Sequence, residues 1–203
     1  MKLYITAGSP YARIVRIVTI EKRLEDRVDT LVAQTRSADS PYYAVNPSGR
    51  VPYLVRDDGV GLEESNLICA YLDHLDGSPA FEPPAGSQGW ESRRLEARAR
   101  SMMDGLAVWR RELARPEGER SPAVLRHEAG RSARLADFWE AEIEHPLMQG
   151  ALGLPQITLA CALGLEVRIP ELRWRPGHPK LAGWLDRIAA RPSLAATAPP
   201  PAR

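Results

Sequence analysis

A serine followed by a proline stands at the junction of a predicted strand and a predicted helix. In the segment ITAGSPYARIVR, Ser9 suits the N-cap and Pro10 suits the first helical position. The N–H groups of a helix start carry partial positive charge, so an anion placed there gains the helix field and a hydroxyl donor. A thiolate is a suitable anion, because helix N-termini lower a thiol pKa from its usual value of about 8.5. A serine that only caps the helix explains the same pattern.

A second segment, NPSGRVPYLV, places Pro52 at the start of a predicted strand, where a missing N–H is tolerated. If the Val51–Pro52 bond is cis, the N–H and C=O of Val51 turn outward and can pair with an extended peptide ligand. Only about 5% of X–Pro bonds are cis. An ordinary trans proline at a strand edge therefore remains an alternative.

A third segment, GVGLEESNLICAYLD, begins a helix with Glu64 and Ser65. The carboxylate can hold an ammonium group, while the serine hydroxyl and the helix N-terminal amides can hold a carboxylate. Together these groups match the two charged ends of an α-amino acid. A capped helix with an acidic first turn explains the same residues without a ligand.

The composition restricts the class of protein. The 203 residues include 27 Lys and Arg against 26 Asp and Glu, a formal net charge of +1. This balance argues against nucleic-acid binding by phosphate neutralisation. No apolar run reaches the roughly 18 residues of a membrane span, and the N-terminus has no signal-peptide pattern. The two cysteines, Cys69 and Cys161, suit a reducing compartment, and we expect no secretion and no membrane partner.

The first part of the chain alternates strand-like and helical patterns in the order β-α-β, then β-β-α. The predicted strands are KLYIT, a run near residues 28–33, VPYLVR, and a short run that ends at Leu62 after the Asp58–Gly59 turn signal. The predicted helices begin at Ser9 and at Glu64. This pattern predicts a small α/β domain over residues 1–76.

Helical periodicity dominates after the Pro/Gly/Ser-rich stretch at residues 76–89, so we expect a linker over 77–89 and an all-helical domain over 90–203. Amphipathic helices are predicted at 90–114 and 122–145, and a last helix ends before Pro192. The apolar segment ITLACALGL predicts a central buried helix. The three consecutive prolines near the C-terminus indicate a frayed tail.

The motifs SPYARIVR, NPSGRVPYLV and ESNLICAYL, in this order and spacing, resemble the glutathione S-transferase family, specifically its bacterial serine-type members. The segments ITLACALGL and HPKLAGWLDRIAARPSLAAT resemble its helical half, so the resemblance covers nearly the whole chain. It implies a thioredoxin-like N-terminal domain with a mixed four-stranded sheet, followed by an all-helical domain that contains the electrophile pocket.

The resemblance also implies roles for individual residues. Ser9 would donate a hydrogen bond to the glutathione sulfur, and Val51, held by cis-Pro52, would pair its backbone with the cysteinyl part. Glu64 and Ser65 would bind the γ-glutamyl ammonium and carboxylate. The set is completed by Arg50 as a weaker candidate for the glycyl carboxylate, and by Tyr11, Met103 and Trp109 as candidates for the electrophile pocket.

Some residues depart from the family pattern or carry other meanings. Thr158 is followed by Cys161 where a capping box would need an acidic residue, so half of that box is expected to be missing. There is no CxxC at Ser9, which disfavours dithiol exchange. Arg13 could add positive potential beside Ser9, although an ion pair is its commoner role. The four histidines lack zinc-like spacing, and we expect no metal site.

The resemblance therefore implies a cytoplasmic, homodimeric glutathione transferase that uses glutathione as co-substrate against a hydrophobic electrophile. Two alternatives stay open. One is a glutathione-dependent isomerase or peroxidase on the same scaffold, and the other is a non-catalytic glutathione-binding or interaction module.

Overall fold

A computed structural model describes residues 1–201 of the chain. The chain divides into two compact units. The N-terminal unit comprises Met1–Glu82 and Ala196–Pro199, and the helical unit comprises Pro83–Ala195 together with Pro200 and Pro201.

The N-terminal unit contains one four-stranded sheet with two helices. Its strand order is β2-β1-β3-β4, in which β1 and β2 are parallel and the other pairs are antiparallel. The elements are β1 (Lys2–Ile5), α1 (Pro10–Glu21), β2 (Asp29–Val32), a 3₁₀ turn (Pro41–Ala44), β3 (Tyr53–Val55), β4 (Gly61–Glu63) and α2 (Ser65–His74). The thioredoxin-like fold with a mixed sheet, as expected, is confirmed.

The core of this unit forms because each element has an apolar side. In α1 the residues Ile14, Val15, Ile17 and Val18 are fully buried, and α1 packs against α2. Burial of such side chains is worth about 1.5–3 kcal/mol each relative to exposure. The central strands contribute Leu3 and Leu54 to the same core.

A buried ion pair fixes the segment that follows α2. Lys22 Nζ lies 3.3 Å from Asp73 Oδ1, and both side chains are buried. The Asp73 carboxylate also accepts hydrogen bonds of 2.8 Å from the backbone N–H groups of Ala80 and Phe81. Residues 77–82 of the expected linker therefore pack on the N-terminal unit.

The helical unit is built around a buried central helix. Its elements are α3 (Ser87–Leu113), α4 (Pro122–Glu142), α5 (Pro146–Gln149), α6 (Leu154–Leu163), α7 (Pro179–Ala189) and α8 (Pro192–Ala196). All residues of α6 from Pro155 onward are buried, and α3 packs on both α6 and α4. The prediction of a central buried helix is confirmed.

Three details differ from the sequence expectations. Helix α6 begins at Leu154, not near Thr158, and Gln156 Oε1 accepts a hydrogen bond from the Gly153 N–H. One half of a capping box, the bond from the N-cap N–H to the Gln156 side chain, is thus present. The other half needs a side-chain acceptor at the N-cap, which Gly153 lacks. Pro192 begins the additional helix α8, because its fixed φ suits a first helical turn.

The third difference is at the C-terminus, where the described part of the proline-rich tail is attached. Thr197 is buried. The Arg168 Nη1 group donates to the carbonyl of Pro200 at 2.9 Å. The expectation of a frayed tail is wrong for residues 196–201, because Thr197 is buried and the carbonyls of Pro200 and Pro201 accept hydrogen bonds from Arg168. Ala202 and Arg203 lie outside the described residues.

Candidate functional site

Ser9 occupies the N-cap of α1, as the sequence predicts. Its backbone is extended (φ −83°, ψ 117°), and its Oγ accepts a hydrogen bond of 3.2 Å from the Ala12 N–H. The hydroxyl acts as the acceptor in this bond, so its own proton can still be donated to another group. Capping the helix and donating to an anion are therefore compatible roles for this side chain.

A narrow cleft in the N-terminal unit brings most of the predicted binding residues together. It is lined by Tyr11, Arg50, Val51, Pro52, Glu63, Glu64 and Ser65. The Val51–Pro52 peptide bond is cis, as the resemblance implies. Three segments that are distant in sequence thus meet at one place: the start of α1, the loop before β3, and the junction of β4 with α2.

The start of α2 has an unusual backbone. Glu64 has φ 72° and ψ 125°, and its side chain makes no capping bond to the first turn of the helix. A positive φ in a residue with a side chain costs about 1–3 kcal/mol and occurs mostly where the surroundings require it. Ser65 is buried, whereas 63% of the Glu64 side chain is exposed.

Two glutamates that are adjacent in sequence, Glu63 and Glu64, line the cleft at this junction, and each has a partner. Arg50 Nη1 lies 3.4 Å from Glu64 Oε1, and both side chains are more than 60% exposed. An exposed pair of this kind contributes about 0–1 kcal/mol. The neighbouring Glu63 accepts a hydrogen bond from the Ser48 hydroxyl. Glu63 is a lining residue that the sequence reasoning missed, although it is adjacent to the motif.

Buried polar side chains form hydrogen bonds to the backbone of the loop that leads to Val51. The carbonyl of Arg50 accepts hydrogen bonds from the Tyr42 hydroxyl at 2.6 Å and from Asn46 Nδ2 at 3.0 Å. Burial raises the pKa of Tyr42, so its hydroxyl stays protonated and can donate. Gly49 has φ 65°, and a Cβ there would clash with the Tyr43 ring. The sequence analysis assigned no role to Tyr42.

The three candidates for the electrophile pocket lie in different surroundings. Tyr11 lines the cleft of the N-terminal unit with the predicted glutathione-binding residues. Met103 and Trp109 belong to α3 of the helical unit, where Met103 is fully buried. Trp109 borders a cavity of about 200 Å³ that Ser132 and His178 also line. Arg13, which could add positive potential beside Ser9, is buried in α1.

One cluster of side chains has the chemistry of metal ligands, contrary to what the sequence spacing suggests. Glu91, Glu142 and His145 place ligand atoms within 4.8 Å of one another. The guanidinium of Arg94, however, bonds both carboxylates, at 2.5 Å to Glu91 and 3.0 Å to Glu142. His145 Nδ1 accepts from the Leu147 N–H, which leaves the proton on Nε2, the nitrogen that faces Glu91. These contacts describe an ion-pair network in which Arg94 occupies both carboxylates.

Both cysteines are buried, Cys69 in α2 and Cys161 in α6. Buried free thiols of this kind behave as small apolar core residues. Within residues 1–201, no helix is both long enough and apolar enough to cross a membrane.

The fold and the cleft define a thioredoxin-like unit joined to a helical unit, and comparison with known proteins gives the family. Residues 8–75 match the glutathione S-transferase N-terminal domain. The chain is 30% identical to the uncharacterised GST-like protein YibF of Escherichia coli over the full length of both chains. It is also 30% identical to glutathione S-transferase 3 of Zea mays, with 99% of this chain and 96% of the relative covered.

Solved structures agree with these relatives. A glutathione transferase family member from Pseudomonas fluorescens Pf-5 with bound glutathione superposes with a TM-score of 0.88 and 35% identity, over 98% of each chain. The chain belongs to the glutathione S-transferase family.

Proposed function

We propose that this protein is a glutathione transferase of the serine type, which ionises the glutathione thiol and directs it at a hydrophobic electrophile. The observation that carries the proposal is the cleft that gathers Val51, Glu64 and Ser65 from separate segments. The glutathione bound in the Pseudomonas relative supports the ligand. The cap position of Ser9 supports the site of the sulfur.

In the proposed mechanism the Ser9 hydroxyl donates a hydrogen bond to the sulfur while its oxygen continues to accept from the Ala12 N–H. The N-terminal end of α1 adds partial positive charge. Both effects favour the thiolate and lower the thiol pKa. Each unit of that lowering corresponds to about 1.4 kcal/mol of preference for the thiolate over the thiol. Ser9 stabilises the nucleophile and is not itself the nucleophile.

The remaining cleft residues would hold the tripeptide. Glu64 would bind the γ-glutamyl ammonium and Ser65 its carboxylate, while the Val51 backbone pairs with the cysteinyl part beside Pro52. Arg50 would bind the glycyl carboxylate. Its present partner is Glu64 in an exposed ion pair, and such a pair is weak enough for a charged ligand to replace both contacts at small cost.

The proposed reaction is attack of the thiolate on an electrophilic carbon. A carbon–sulfur bond forms, the leaving group departs with its electron pair, and the thiol proton goes to solvent. Holding both reactants in place converts a bimolecular step into one within a complex. Tyr11, Met103 and Trp109 remain the proposed residues for the electrophile side, with the fully buried Met103 acting through packing.

The cellular setting is also a proposal. The family resemblance supports a homodimer in the cytoplasm that acts in detoxification. A monomeric mass by light scattering would contradict the dimer.

The experiment for the mechanism is Ser9→Ala, with an aryl halide as electrophile. We expect kcat/KM to fall about 10- to 100-fold, as for loss of a hydrogen bond to a charged group. The loss should be greatest below the thiol pKa of the bound glutathione, where the serine decides the thiolate fraction. The pKa itself, measured from thiolate absorbance, should rise.

The chain offers a matched control in Ser121→Ala. Ser121 precedes Pro122, caps α4 and accepts from the Val124 N–H, so it repeats the local structure of Ser9 in the helical unit. Each variant loses about 1 kcal/mol of capping energy, but only Ser9→Ala should change the thiol pKa. Unchanged turnover and thiol pKa in Ser9→Ala would remove Ser9 from the mechanism. Glutathione binding without turnover of any electrophile would favour a non-catalytic binding module.

A further inference from the structure

The cleft wall that carries Val51 is oriented by two buried residues to which the family comparison assigns no role. We propose that Tyr42 and Asn46 are positioning residues, which set glutathione affinity by fixing the peptide plane between Arg50 and Val51. This inference rests on the proposed function, since it concerns how the same cleft holds the tripeptide.

The argument begins with the carbonyl of Arg50, which accepts from the Tyr42 hydroxyl at 2.6 Å and from Asn46 Nδ2 at 3.0 Å. A carbonyl oxygen has two lone pairs, so two donors from different directions fix its orientation. Tyr42 is 4% exposed and Asn46 is 2% exposed. Water therefore has little access to compete for this oxygen.

The orientation of this carbonyl also determines where the Val51 N–H points. The Arg50–Val51 peptide bond is trans. In a planar trans peptide the C=O and the N–H point in opposite directions. With the oxygen directed at Tyr42 and Asn46, the Val51 N–H points away from them. Val51 lines the cleft, and its backbone is the group proposed to pair with the cysteinyl part of glutathione.

Both donors are themselves held in place. The ring of Tyr42 packs on Tyr4 with centroids 5.4 Å apart. Asn46 Oδ1 accepts from the Ser48 N–H at 3.0 Å, which fixes the orientation of the amide, and the Asn46 N–H donates to the Tyr42 carbonyl at 2.9 Å. The two donors thus belong to one hydrogen-bonded network that fixes the loop before Val51.

The test is Tyr42→Phe, which removes the hydroxyl and keeps the ring against Tyr4. Because the tripeptide backbone contact is made equally in the ground state and the transition state, its loss should raise KM and leave kcat alone. We expect the KM and the calorimetric Kd for glutathione to rise about three- to tenfold, the range for one neutral hydrogen bond. The KM for the electrophile should not change.

Tyr43→Phe is the matched control, because Tyr43 lies in the same 3₁₀ turn and its ring faces Gly49, whereas the Arg50 carbonyl is bonded by Tyr42. It should leave every constant unchanged. Asn46→Ala, if its circular dichroism is that of the wild type, should raise KM at least as much as Tyr42→Phe. In amide NMR spectra of the unliganded protein, Tyr42→Phe should shift the Val51 signal.

The outcomes separate the two proposals. If the wild-type protein does not bind glutathione, the proposed function fails and this inference falls with it. If the wild type and Tyr42→Phe bind equally well, the inference alone is overturned. A fall in kcat with KM unchanged would indicate loss of active protein, and would overturn it in favour of a purely structural role.

Discussion

Two helices of equal length begin in opposite ways in this protein. Helices α2 and α6 each have ten residues and pack into the core of their own unit. At α6 the Gln156 side chain reaches back to the Gly153 N–H and closes the helix start. At α2 the N-cap is Glu64 with a positive φ, and the Glu64 side chain makes no capping bond.

This difference in capping distinguishes a helix N-terminus that only stabilises the fold from one that is suited to bind a ligand. The first N–H groups of any helix lack partners within the helix. In α6 the chain supplies a partner itself, and the helix serves as core. In α2 the Glu64 side chain makes no capping bond, and the helix begins at the edge of a cleft that contains the exposed Glu64 carboxylate and the buried Ser65. The strained backbone of Glu64 thus lies where glutathione binding is proposed.

The largest expected effect comes from Glu64→Gly, which removes the carboxylate. It also relieves the backbone strain, because glycine adopts a positive φ without steric cost. We expect glutathione affinity to fall about 10- to 100-fold, as for loss of a charged hydrogen bond. The free energy of unfolding should rise by about 1 kcal/mol, because the relieved strain exceeds the entropy cost of glycine. Calorimetric titration and urea unfolding measure the two quantities.

The control for this prediction is Glu64→Gln, which keeps the strained backbone and removes only the charge. It should weaken glutathione binding without any gain in stability. If Glu64→Gly is no more stable than Glu64→Gln, the positive φ stores no strain and the contrast with α6 is lost.

A smaller effect is expected for Gln156→Ala, which opens the start of α6. The Gly153 N–H and the Gly150 carbonyl both lose their partner, and Gln156 is buried. Loss of a cap costs about 0.5–2 kcal/mol. Urea unfolding should report this loss, whereas the Kd for glutathione should stay as in the wild type. Gln88→Ala, at an exposed position in the first turn of α3, should be nearly neutral. A weakened Kd in Gln156→Ala alone would contradict the separation of roles.

The smallest effect concerns a third helix start, that of α7, where His178 is the N-cap. Partial burial would lower the pKa of His178, but the hydrogen bonds to Asp137 and to the Trp174 carbonyl outweigh it, and the net pKa is raised. Both partners are acceptors, which fits a doubly protonated ring. The imidazolium therefore favours the folded state.

This raised pKa gives a pH dependence with a definite sign. The stabilisation is fully present below the unfolded pKa of about 6.5 and disappears as the pH rises through the higher folded pKa. His178→Gln should thus lose more stability in mild acid than in mild alkali, by less than about 1 kcal/mol because Asp137 is exposed. Urea midpoints over a pH series measure it. A pH-independent difference would exclude the ion pair, and Asp137→Asn should reduce the slope.

Much of the fold follows from local patterns. The period of the apolar residues in α1 and the Ser9–Pro10 pair predict that helix, and the Asp58–Gly59 turn predicts the hairpin of β3 and β4. The start of α6 was misplaced because Gly153 carries no capping side chain and Gln156 is a weaker signal than an acidic residue. The short α8 was missed because a proline that ends one helix can also begin the next.

The candidate site was predictable only where a motif carries it. Val51, Glu64 and Ser65 stand in recognisable segments, whereas Glu63 was missed although it adjoins one of them. Tyr42 and Asn46 act through the Arg50 carbonyl, and a hydrogen bond from a side chain to the backbone of a neighbouring loop leaves no periodic pattern in the sequence.

The sequence by itself determined most of the element types, the helix cap at Ser9, and the family, because these depend on residues near one another in the chain. Only the tertiary structure decided that the starts of α1 and α2 and the loop before β3 line one cleft, and that Asp73 attaches residues 80 and 81 to the N-terminal unit. Those contacts depend on chain reversals, and burial gives them their strength by excluding water from the hydrogen bonds.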